Sequence, residues 1–166
     1  MLKNILNQLY KNKIEKIYVT GFIDIENGIA EFYPDYTTYY ILIKGRYLKL
    51  ESIEQYSKLK FELVDNISFD FSYEIEDEMY KAVSSVEELI LTNSLLAGNN
   101  IVKIIFYNLD ESKVTCLAME IILENGQMIF FDPTYVCGIC AGGEKQKSVW
   151  LNSCDNKIIV KELVIE

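Results

Sequence analysis

Apolar and polar residues alternate along most of this chain with the two-residue period of half-buried strands. The stretch "IYVTGFIDIENGIAEFY" (17–33) holds two such runs around Asn27-Gly28. That pair favours a two-residue type I′ hairpin, whose central residues both need positive φ. "TYYILIKGRYLKLE" (38–51) repeats the arrangement around Lys44-Gly45. "SKLKFELVDNISFDFSYEI" (57–75) supplies two more runs. Leu59, Phe61 and Leu63 mark the first; Ile67, Phe69, Phe71, Tyr73 and Ile75 mark the second, with the turn-forming Asp65-Asn66 between them. Strands resume at 101–109 and 113–132, the latter folded around Asn125-Gly126, and 156–166 reads as a closing strand.

Two stretches break this period. Leu2, Ile5, Leu6 and Leu9 recur at helical spacing and predict a short N-terminal helix that docks on the body. Over 76–91, Met79, Ala82, Val83, Val86, Leu89 and Ile90 fit a helical stripe, with Asp77, Lys81, Ser84 and Glu88 opposite. The expected fold is α+β: a predominantly antiparallel sheet of about 8–10 strands, one main amphipathic helix over 76–91 and the short N-terminal helix. A chain of 166 residues is expected to form a single globular domain over 1–166. One internal echo stands out: 23–33 and 121–131 share an Ile, a Glu-Asn-Gly and a Phe at equal offsets. It fits either a duplicated unit or ordinary hairpin chemistry.

Composition is globular, with 50% apolar and 25% charged residues. No apolar run approaches the roughly 20 residues that span a bilayer, and the N-terminus lacks the apolar core of a signal peptide. Together with four cysteines this predicts a cytoplasmic protein with reduced thiols. The net charge of −9 is regional: residues 51–88 hold eleven acids against three lysines. Nucleic acid needs a basic footprint, so it is excluded as a partner. The single arginine, Arg46, leaves no cluster to hold phosphates. Such an acidic face is either a solvated surface that keeps the protein soluble or one that fits a basic protein partner, with Asp77, Glu78, Glu87 and Glu88 as the candidate residues for the latter.

The chain has no histidine, which removes Ser-His-Asp and Cys-His catalysis and histidine metal sites. It has no P-loop and no dinucleotide-binding glycine motif. What remains lies in "FFDPTYVCGICAGGEK" (130–145) and the nearby Trp150, the only tryptophan. Asp132 and Glu144 could act as paired carboxylates, although Asp132 before Pro133 also simply ends a strand. Cys137-Gly-Ile-Cys140 superficially resembles the thioredoxin dithiol. Ala141-Gly142-Gly143 interrupts the helix that such a dithiol needs at its N-terminus. A four-cysteine zinc site from Cys116, Cys137, Cys140 and Cys154 is chemically allowed, but it lacks the second close pair usual in structural sites. Four buried free thiols are the plainer reading. Tyr135, Gly142, Gly143, Glu144 and Trp150 form a candidate binding surface, with Trp150 equally suited to the core.

No cofactor is expected. The first functional reading is a non-enzymatic binding protein; the alternative is a small enzyme or cysteine–metal protein built on 132–150. In size, acidity and Asn-Gly hairpins the chain is similar in general character to immunity proteins of bacterial contact-dependent and polymorphic toxin systems. That resemblance implies a protein that neutralises a toxin by covering its active site. A structural role through pairing of the closing strand is a third reading.

Overall fold

The computed structural model describes residues 2–69, 79–92, 98–154 and 157–164. Within them the chain is mostly β-sheet with three short helices. The order is α1 (Leu2–Leu9), β1 (Lys16–Glu26), β2 (Ile29–Ile43), β3 (Arg46–Ile53), β4 (Lys58–Val64), β5 (Met79–Ser85) and α2 (Glu87–Ile90). There follow β6 (Ile101–Tyr107), β7 (Thr115–Cys116), β8 (Ala118–Leu123), β9 (Met128–Tyr135), β10 (Gly138–Gly142), α3 (Glu144–Ser153) and β11 (Val160–Val164).

The strands form one sheet in the order β11-β6-β8-β9-β10-β2-β3-β4-β7, with β1 and β5 branching from β2. The sheet is mixed rather than purely antiparallel, because β10 meets β2 in a parallel bridge, Gly138 to Tyr36. Its far end returns on itself: β7 is separated from β8 by Leu117 alone. Phe61 of β4 stacks on Phe106 of β6 at 5.0 Å across the resulting interior. The concave side holds the main core, including Ile17, Ile41, Leu50, Phe61, Phe106, Ile121 and Phe131. Ile5 and Leu9 of α1 are buried in it, so the helical spacing of the N-terminus is realised as docking on the body.

Strict alternation in β6, β8 and β9 builds a second core on the convex side. Ile105, Tyr107, Ala118 and Phe130 face outward there and are covered by Trp150 of α3. The Trp150 ring meets Tyr107 edge-on at 5.1 Å and Phe130 at 5.5 Å.

The predicted hairpins at Asn27-Gly28 and Lys44-Gly45 form with both central residues at positive φ. At Asn125-Gly126 only Gly126 is left-handed, and the loop between Leu123 and Gln127 is three residues long. The two Glu-Asn-Gly stretches therefore turn differently.

Three expectations are corrected. The helix predicted over 76–91 is a strand from Met79 to Ser85, followed by one turn of helix at Glu87–Ile90. The alternation in "MYKAVSS" satisfies period two as well as 3.6, and β1 has a backbone edge from Tyr18 to Asp24 that needs a partner. Second, the stretch 137–143 holds a strand, β10, and a helix for which the pattern predicted no element follows at Glu144–Ser153. Third, the second run predicted in 57–75 is not strand over 67–69, and its remainder lies outside the described residues. Among the described residues no helix is long and apolar enough to cross a membrane.

Candidate functional site

The acids of the stretch 51–88 that lie within the described residues are largely neutralised in the fold. Asp65 accepts from Arg46 at 2.7 Å, Glu54 pairs with Lys58 at 2.8 Å, and Lys60 lies between Glu51 and Glu62. Glu87 is buried and accepts hydrogen bonds from the Lys16 ammonium and the Ser85 hydroxyl. Burial alone would raise its pKa; the Lys16 and Ser85 contacts outweigh that and hold it below the usual value. Glu87 is thus a tie between β1 and α2. Glu88 is exposed, and Asp77 and Glu78 lie outside the described residues.

Among the described residues, uncompensated acid collects on the arm formed by β1, β2 and β5. The type I′ turn fixes its register: Phe22 faces Tyr33, Asp24 faces Glu31 and Glu26 faces Ile29. Directly opposed residues share one face, so three carboxylates are crowded on one face of the arm, with Lys81 of β5 opposite Phe22 on that same face. No ion pair joins them to a basic side chain among the described residues. Phe22 and Tyr33 stack at 5.1 Å beside them. Ile29 is 71% exposed at the tip and Tyr33 is 41% exposed. Asp24, Glu26, Asn27, Ile29, Glu31 and Tyr33 line a shallow depression of about 190 Å³. Glu31 accepts the Tyr33 hydroxyl hydrogen at 2.9 Å, and that bond, with the nearby charges of Asp24 and Glu26, raises the Tyr33 pKa. Segment-wise charge counts missed this face. The hairpin register, which follows from Asn27-Gly28, could have found it.

A second concavity forms where the arm joins the body. The β1 partner of β2 jumps from Tyr39 to Asp35, leaving Tyr36–Thr38 as a bulge. β10 docks on that bulge through Gly138. Bulges of this kind re-aim side chains and often adjoin functional sites. Here the result is a pocket of about 340 Å³ lined by Tyr36, Tyr39, Tyr135, Cys137, Ile139, Cys140 and Ala141. Tyr135, Cys137 and Cys140 of the candidate stretch do converge on it.

The rest of that stretch has structural duties. Asp132 is buried on the convex side, where it accepts from the Thr134 amide and hydroxyl and from Gln146 Nε2 at 2.7 Å. Gly142 ends β10 against Gln146, Gly143 is the N-cap of α3, and Glu144 is exposed in its first turn. Trp150 is core. One group escaped the sequence reading: Glu120, buried in β8, accepts from Tyr107 Oη at 2.8 Å and from Lys147 Nζ at 2.9 Å. Burial and the Glu120 carboxylate push the Tyr107 phenol up to about 12. Burial works against the Lys147 ammonium, yet Glu120 and Tyr107 raise its pKa overall. A lone glutamate in "AMEIIL" was the available signal. Asp132–Gln146, Glu120–Lys147 and Trp150 together pin α3 to the sheet.

The four thiols do not form one ligand set. Cys116 is buried in the inner core, where burial pushes its pKa far up. Cys154 packs against the convex cluster, and only Cys137 and Cys140 share a pocket. No group of three or more metal-ligating side chains is found among the described residues. Comparison with protein-family models, with curated proteins and with solved structures returns no match to this chain.

Proposed function

We propose that this is a non-enzymatic binding protein that engages a basic protein partner, and that the acidic face of the β1–β2 arm is what it presents. The observation that carries the reading is the cross-strand pairing of Asp24 with Glu31, flanked by Glu26 and by exposed Ile29 and Tyr33. Like charges directly opposite one another destabilise a ribbon. A cationic partner surface would relieve that repulsion while Ile29 and Tyr33 supply apolar contact. The general similarity to toxin-neutralising immunity proteins suits the same arrangement, with a projecting acidic arm covering a basic cleft.

The test is a titration of isotope-labelled protein with a lysine-rich peptide, followed by amide chemical shifts. The reading expects shifts concentrated at 22–33, weakening steeply with salt because exposed charges are screened beyond about 10 Å at 0.1 M. Glu31→Lys should abolish them. Shifts centred on Glu51–Asp65, or shifts indifferent to salt and to the reversal, would sink it.

A further inference from the structure

We propose that the pocket between the β2 bulge and β10 is a binding site for a small neutral planar molecule that offers one hydrogen-bond acceptor to the Tyr39 hydroxyl.

The Tyr39 side chain belongs to the inner core and is only 5% exposed, yet it also lines the pocket. No hydrogen bond joins its hydroxyl to another described residue. Among the described residues no fully buried side-chain polar atom lacks a partner, so this unpartnered hydroxyl reaches solvent, and the pocket that Tyr39 lines is where it can donate to a ligand atom. Tyr36 and Cys140 line the same pocket. Burial, with those two groups beside it, keeps the phenol protonated, so it stands ready to donate.

The remaining walls define the rest of the ligand. Tyr36 and Tyr39 lie 6.3 Å apart with their planes 27° from parallel, and Tyr135 completes an aromatic lining. Flat aromatic walls favour a flat guest. None of the seven lining residues is an acid, lysine or arginine. A charged ligand would therefore lose its hydration with no countercharge to replace it. Ile139 belongs to the inner core and Ala141 packs against it, so this side of the pocket is continuous with the core. Its volume falls at the small end of ligand sites, which run from about 300 to 1,000 Å³. Cys137 is exposed and Cys140 half-buried, and both line the pocket, so their thiols report occupancy.

Coumarin and naphthalene distinguish this site from a generic apolar patch. Both are neutral fused-ring molecules of similar size, and only coumarin carries a carbonyl. In an amide-shift titration, coumarin should bind saturably at Tyr36, Tyr39, Cys137 and Cys140. Tyr39→Phe should weaken coumarin about three- to tenfold, the worth of one hydrogen bond, and leave naphthalene unchanged. On the unaltered protein, saturating coumarin should slow iodoacetamide modification of Cys137 and Cys140 relative to Cys154. Absence of saturable shifts up to the solubility limit would overturn the proposal. So would equal coumarin affinity in Tyr39→Phe, or slowing no greater at Cys137 than at Cys154. The alkylation result decides alone if Tyr39→Phe fails to melt cooperatively.

Discussion

Gly138 holds the junction between β10 and the β2 bulge, and its replacement by alanine gives the sharpest stability prediction. Its φ is +117°, outside the range open to L-residues. A Cβ placed there would lie 2.5 Å from the carbonyl carbon and oxygen of Tyr36 and 2.8 Å from the Thr37 amide nitrogen. These are backbone atoms, so no side chain can swing aside. Backbone strain of this kind costs about 1–3 kcal/mol, and forced overpacking adds roughly 1–3 kcal/mol. The expected loss for Gly138→Ala is thus about 2–6 kcal/mol. For a chain of this length each kcal/mol moves Tm by roughly 2–4 °C, so a drop on the order of 10 °C should appear in a calorimetric melt. Gly28→Ala is the internal reference. Gly28 also has positive φ, at +77°, but nothing lies within 4 Å of an added Cβ. It should lose only the strain component, a few degrees. Equal shifts at the two positions, or a Gly138→Ala shift below about 2 °C, would refute the reasoning that the bulge and β10 are clamped by backbone contact.

Three further outcomes follow from the convex network and the thiols. Lys147→Met should destabilise by about 3–5 kcal/mol in urea unfolding, because it strands the buried Glu120 carboxylate; adding Glu120→Gln should recover more than half of that loss. Tyr107 and Lys147 both have raised pKa values in the fold, so their contribution is complete below their unfolded values and is lost as pH rises. Stability should fall from pH 10 toward about 12, and Tyr107→Phe should flatten that decline; a decline unchanged in the variant would count against it. Under native conditions Cys137, the exposed thiol, should alkylate first and buried Cys116 last, as read by peptide mass spectrometry; early labelling of Cys116 would contradict the inner-core placement.

The parts legible in the sequence are those encoded locally. Asn27-Gly28 and Lys44-Gly45 specify their turns outright, and the turn fixes the register that opposes Asp24 to Glu31. That face was readable but hidden, because summing charge along 51–88 ignores which acids meet Arg46, Lys58 or Lys60 in space. Residues 79–85 fit two periods at once, and only the open edge of β1 decides between them. α3 showed no apolar stripe because a single residue, Trp150, buries itself; its other anchors are the polar Gln146 and Lys147. The pocket was half visible. Tyr135, Cys137 and Cys140 are neighbours in sequence, whereas Tyr36 and Tyr39 arrive through a bulge and a parallel bridge that no local pattern announces.

The most direct test of the binding account is site-specific photo-crosslinking from the arm in the native cell. Ile29→p-benzoylphenylalanine places the reactive group at the exposed tip, 71% accessible and opposite Glu26. The account predicts a discrete adduct with a basic protein, lost when Asp24→Lys and Glu31→Lys are introduced together. An adduct that survives the double reversal, an acidic partner, or adducts from a photo-crosslinker at Glu88 but none from Ile29 would contradict it.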